Sequence, residues 1–396
     1  MRKFLLLAFL VPLVLAAGWY YFHQRALPGY GPLYREYAYI SNGKSNTVTV
    51  IDLRSFRPVR TLPVGTNPTG VAVNPKRNEV YVVNTDSSNV SVIDAEENKV
   101  VATIGVYGRP FFIDVSPDGD RAFVANSGSD NVSVLDLDRR TASATLHVGG
   151  KPGLARVSPD GSSVVVTNRA DNSVSIIDTA RLAVRSALNI CIHPEDVAIL
   201  PDSSKAFVSC SGSGQVASIA LKTATQNGTE NDKLLALLDV GKSPVSLALK
   251  PDGGELVAFN FEAGSISIIE TTANEVSGSY LVGDQPARGV ISLDNSRLYI
   301  SNFGSNNIAV YDIDLGKVIA YLPVGTHPDA LALAQSQNYL LVLDSGSGDL
   351  AVIQKRTPSK KFEPSEYSLL TIIPVGMQPN QIVVKSFRAT KLLQGR

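Results

Sequence analysis

The sequence predicts an all-β chain folded as a closed ring of like units. Three observations carry this: a motif recurring every 42 residues, a second motif in step with it, and a four-strand pattern inside each period. The first motif is an apolar run ending in asparagine, then a small polar loop and a second apolar run: ISNGKSNTVTVID (40–52), VVNTDSSNVSVID (82–94), VANSGSDNVSVLD (124–136) and VTNRADNSVSIID (166–178). Asn42, Asn84, Asn126 and Asn168 are 42 apart, and one more step lands on Cys210. After a step of 50 the series resumes at Asn260, Asn302 and Asp344. The second motif is a linker ending at Pro68, Pro110, Pro152, Pro194, Pro244, Pro286, Pro328 and Pro379. Four short strands in a period of this size make one β-propeller blade, a radial arrangement that leaves few strand edges exposed. Eight four-stranded blades is the expectation. Seven, with the front copy outside the ring, is the alternative.

Taken in order, the elements begin with MRKFLLLAFLVPLVLAAGWYYFHQR. Arg2 and Lys3 precede an uncharged run from Phe4 to Phe22. The run reads as a signal peptide with Ala16-Ala17-Gly18 for cleavage, or as an uncleaved anchor with Trp19, Tyr20 and Tyr21 at the interface. No cysteine follows it, which excludes a lipoprotein anchor. Either reading exports the rest of the chain to the periplasm or cell surface. Residues 23–36 are then a linker, 37–387 the propeller and 388–396 a tail. Full blades are expected at 68–109, 110–151, 152–193, 194–243, 244–285, 286–327 and 328–378, numbered 1 to 7. In blade 2, PFFIDV turns at Pro117-Asp118-Gly119, RAFVAN and NVSVLD flank the asparagine loop, and TASATLH is the fourth strand. YAYISN, TVTVIDL and PVRTLPV at the front supply strands two to four of an eighth blade; NQIVVKSF at the back supplies its strand one.

The residues Tyr81-Val82-Val83-Asn84, the SVID at 91–94, the VG-x-x-P linkers and the SPDG turns resemble the YVTN β-propeller repeats of exported proteins. That family implies an exported repeat protein, usually of seven blades, so the eighth copy is a departure. Eight blades is more distantly similar to the haem-binding propeller of periplasmic dihaem nitrite reductase. Tryptophan-docked propellers are disfavoured, because the single Trp19 lies in the export segment.

Cys191 takes the linker glycine position of blade 4 (compare Gly149), and Cys210 takes the asparagine position of the same blade. Both departures fall on one face, where linkers and asparagine loops lie together. A disulfide between them is expected in an oxidising compartment; two separate buried thiols is the alternative.

Candidate site residues follow from the same face. The residue before each linker proline is polar: Asn67, Arg109, Lys151, His193, Ser243, Gln285, His327 and Gln378. They are expected to crown the top mouth of the central channel, joined by Glu195, Asp196, Arg288 and Asp329, as a site for a polar or anionic ligand. The plainer explanation is that exposed linkers favour polar residues in any protein. Asp52, Asp94, Asp136, Asp178 and Asp312 recur at the end of strand three and read as architectural. No G-x-S-x-G, H-E-x-x-H or P-loop is present, so no catalytic set is named, and no metal site or cofactor is expected from the residues. The distant likeness implies haem, with His193 or His327 as ligand.

Lys and Arg total 36, as do Asp and Glu, which leaves no overall field to draw nucleic acid. The long bottom connections KTATQNGTENDK (222–233) and KRTPSKKFEPSE (355–366) differ from the rest. Lys355, Arg356, Lys360 and Lys361 make the second basic, suited to anionic lipid headgroups beside an anchor at 4–22. The function expected is a binding or scaffold module for a protein, glycan or small polar ligand. A cofactor-binding or hydrolytic propeller, haem-linked or lactonase-like, is the alternative.

Overall fold

The computed structural model describes residues 31–222, 231–356 and 366–391. The signal or anchor segment 4–22, Lys360, Lys361 and residues 392–396 of the tail lie outside them. Among the described residues no helix is long and apolar enough to cross a membrane.

The strands form eight separate four-stranded antiparallel sheets arranged as a ring. In blade 2, strand one is Pro110–Val115, strand two Arg121–Asn126, strand three Asn131–Asp136 and strand four Thr141–His147. Strand one faces the central channel and strand four the outside. Linkers and the loops between strands two and three share one face, called the top. The SPDG-type turns lie at the bottom. There Gly119 has φ 78°, the left-handed region that favours glycine, and the Ser116 hydroxyl donates to Asp118.

Strand two is apolar without alternation because both of its faces are covered, and strand three alternates apolar residues with small hydroxyl residues that are buried too, such as Ser91 and Ser133. Tyr39, Val48 and Val50 of blade 8 pack with Val80, Val82 and Ile93 of blade 1, and comparable clusters fill the other gaps between blades. Each fully buried Val or Ile contributes roughly 1.5–3 kcal/mol of transfer free energy. The strand-three aspartates are architectural: Asp94 Oδ1 accepts from the N–H groups of Glu96 and Glu97, and Asp178 Oδ1 from those of Ala180 and Arg181. Each thereby fixes the turn into strand four.

Blade 8 closes the ring from both ends of the chain, as the repeat count predicts. Its strand one is Pro379–Arg388, and strands two to four are Tyr34–Asn42, Thr47–Asp52 and Arg57–Pro63. The pairing runs from Tyr34 against Arg388 to Asn42 against Pro379. Strand two therefore begins three residues before Tyr37, and strand one extends one residue past Phe387.

Candidate functional site: the top face and channel mouth

The top face is built on one contact repeated around the ring. In six blades an asparagine ends strand two, fully buried, and in five of them it donates its amide to positions five and seven residues on; Asn302 donates to Asn307 and to the Val282 carbonyl instead. Asn84 reaches Asn89 and Ser91 at 2.7 and 2.9 Å, and Asn126 reaches Asn131 and Ser133 at 2.8 Å each. The linker glycine lies flat on that side chain. A Cβ on Gly65 would stand 2.6 Å from Asn84 Cβ, and one on Gly149 2.8 Å from Asn168 Cβ. In blade 4 the same two positions hold Cys191 and Cys210, which form a disulfide with a Cα–Cα distance of 5.7 Å. In blade 4 the two partner positions hold Gln215 and Ala217, although alanine also stands at the second position in blade 6, where Asn302 is kept and Ala309 follows.

All eight residues before the linker prolines lie on the top face, and all eight have positive φ, between 49° and 56°. This region excludes β-branched side chains and favours residues without bulk at Cβ. Their backbones staple neighbouring blades. The His193 N–H donates to Asn172 Oδ1 of blade 3, and its carbonyl accepts from Ser211 of blade 4. Lys151 and His327 repeat the pattern with Asp130 and Asn306. Backbone geometry thus suits Asn67, His193 and His327 and explains why no β-branched residue stands at any of the eight positions, but it does not select Arg109, Lys151, Ser243, Gln285 or Gln378 for polarity.

These side chains do not converge on one pocket. Arg109 is exposed and pairs with Asp86 at 3.1 Å. His327 stacks face to face on Phe303, ring centroids 4.4 Å apart. His327, Asp329 and Gln378 line one groove over blades 6, 7 and 8, with Lys44, Asn380 and the loop Ser345–Gly348, enclosing about 640 Å³. Glu195, Asp196 and Arg288 line a different cavity, the channel mouth, of about 390 Å³. His193 lines neither cavity.

The channel mouth contains charges that the linker pattern does not reveal. Arg156 lines it, with its guanidinium 4.9 Å from the centroid of the Phe112 ring. Asp114 and Asp196 stand on either side at 3.7 and 3.9 Å, beyond hydrogen-bond distance. Both carboxylates are held by backbone of the following blade. Asp114 accepts from Val157 N–H at 3.0 Å, and Asp196 from Leu247 N–H and the Ser246 hydroxyl at 3.0 and 3.1 Å. Asp114 keeps 24% of its side chain open to the channel yet is walled in by protein, and this burial raises its pKa against the pull of Arg156. Above them Arg169 donates to Glu195 at 2.6 Å and lies 5.1 Å over Phe111. A signal for Asp114 and Arg156 was present: at the fifth residue of strand one every other blade has Ala or Val.

At the bottom, Lys355 pairs with Glu366 at 3.8 Å, which partly neutralises the basic connection. Among the described residues no group of three His, Cys, Asp or Glu could hold a metal ion. Haem iron takes His, Met, Cys or Tyr as axial ligand. No residue lining the channel mouth is one of these, so the channel does not fit that group; of the two expected haem ligands, His327 lines the groove over blades 6 to 8 together with Met377, and His193 lines neither cavity.

No family model matches the sequence, and no curated protein sequence matches it. Solved structures share its fold. Dihydro-heme d1 dehydrogenase NirN in complex with DHE is 17% identical over 90% of this chain and 77% of that one, with a TM-score of 0.70. Hydrazine synthase of Kuenenia stuttgartiensis is 22% identical over 80% and 91%, TM-score 0.57. A candidate 6-phosphogluconolactonase from Bacteroides fragilis is 16% identical over 91% and 100%, TM-score 0.60. At these identities the likeness is one of fold, that of a β-propeller.

Proposed function

We propose that this chain is an exported propeller that works by binding, and that its ligand is a small molecule carrying both an acidic or acceptor group and hydroxyl or amino donors. Arg156 carries the reading. Its guanidinium is held over Phe112 between two carboxylates too distant to hydrogen-bond it, and the residue lines the cavity, so its N–H groups remain available to a ligand there. A planar fork of this kind suits a carboxylate or phosphate. Asp114 and Asp196, fixed by backbone N–H groups, are placed to accept from the ligand's donors. Export is supported by the apolar N-terminal run and by the disulfide. The resemblance to exported YVTN repeats, carried by the quoted residues, points the same way.

The test is a thermal-shift screen of hydroxy acids, amino acids and sugar phosphates against the exported protein, beside R156K and R156M. At least one compound should raise the melting temperature of the wild type by several degrees. R156M should abolish the shift, and R156K should retain only part of it. A shift that persists unchanged in R156M would overturn the assignment, as would a panel with no effect. An absorption spectrum of the same preparation from a haem-producing host tests the cofactor alternative. A stoichiometric chromophore would replace the binding reading with that one.

A further inference from the structure

We propose that the top loop of blade 7, residues 345–348, is latched by one proton shared between Asp344 and Asp349, and that loss of this proton opens the wall of the groove over blades 6 to 8. The argument is one of position. Asp344 and Asp349 are direct cross-strand partners, in the register that Asn84 and Asn89 hold in blade 1. In the equivalent pairs one side chain donates to the other: Asn84 to Asn89 at 2.7 Å, Asn126 to Asn131 at 2.8 Å, Asn302 to Asn307 at 2.9 Å. Two ionised carboxylates have no donor to offer. Asp344 is fully buried, and the Oδ1 atoms of both aspartates are buried without a hydrogen-bond donor. One proton between them restores the bond that the six asparagine blades make.

The neighbours do not supply a substitute. Asp344 Oδ2 accepts from Gly325 N–H at 3.0 Å, which is its contact with the linker. Strand three brings Asp349 as the charged group in touch with it. On strand one Asp329 faces Arg288 at 3.6 Å, and His327 of the linker and Lys44 of blade 8 face the groove. Burial, reinforced by the charge of Asp349, pushes the Asp344 carboxyl up to about 8, against the Gly325 bond. The loop between the two aspartates is the same Ser345–Gly348 that lines the groove. The proton state of the pair therefore sets one wall of a cavity, whatever the channel mouth binds.

Carboxyl carbon and amide NMR of the exported protein from pH 6 to 10 tests this. One carboxyl of the pair should remain protonated at pH 7 and titrate near pH 8, with the amides of residues 345–348 shifting at the same midpoint. D344N restores the asparagine of six other blades and should leave these amides still across the range. Ionisation of both carboxyls by pH 6 would overturn the proposal. So would loop amides that do not move in the wild type while the pair titrates, a result that needs no variant to fold.

Discussion

At the scale of single residues, the buried asparagine is the unit on which the top face depends. Replacing Asn126 by alanine would leave Asn131 and Ser133 without their buried donor and open space under the linker. The expected loss is about 2 kcal/mol, measured as a lower urea midpoint with unchanged slope. Asp344 makes the same point through pH. Its carboxyl is raised in the folded protein, so folding takes up a proton between the unfolded value, near 4, and about 8. Its contribution to stability is complete below pH 4 and lost as pH rises toward 8. Asp294 has the opposite sign. Held down to about 2 by the Ser292 hydroxyl and the Ser296 N–H, it stabilises above pH 4 and loses that contribution as pH falls toward 2. The difference in melting temperature, D344N minus wild type, should therefore climb from pH 5 to pH 8. A flat difference would show that Asp344 is ionised throughout.

At the scale of an element, the linker and the end of strand two behave as one exchangeable part. Glycine on asparagine and cystine are two solutions to the same contact, so the second should be transferable. Gly149→Cys with Asn168→Cys in blade 3 is expected to oxidise under non-reducing conditions, after the linker moves outward by under about 1 Å to reach cystine geometry. Thiol counting under denaturing, non-reducing conditions should find none free. Removing the native bridge by C191S with C210S should cost on the order of 3 kcal/mol in urea. This part was readable in the sequence, because Cys191 and Cys210 stood in register with Gly149 and Asn168. The eight-bladed ring was readable for the same reason: a period of 42 leaves little freedom in where strands begin. The site was less so. His193 and His327 stand out in a sequence of four histidines, yet they share no cavity, since three blades separate them around the ring. Arg156 and Asp114 sit within apolar strands, where which face looks into the channel depends on a bulge near the start of strand one that the repeat does not announce. The positive φ shared by all eight pre-proline residues was hidden too, because Arg, Lys and Gln are not residues from which that conformation is read.

At the scale of the whole molecule, the ring is held by one joint between distant parts of the chain. Ser41 and Asn380, hydrogen-bonded at 2.5 Å, are 339 residues apart, and Gln381 crosses to Val71 N–H of blade 1. Lys385, buried and bonded to the carbonyl of Asn74, ties the same strand to the bottom of blade 1. A chain truncated before Pro379 should lose the single cooperative urea transition and become protease-sensitive first in blade 8. If it unfolded at the wild-type midpoint, the joint would have no energetic role. The same joint also orders events in time. Synthesis delivers Tyr34–Asn42 early and its partner only after seven blades have emerged, so for most of its production the chain carries an unpaired, apolar strand edge. Completion is thus a property of the entire polypeptide. Until Pro379–Arg388 has been made that edge stays unpaired, and once it has been made the edge is covered.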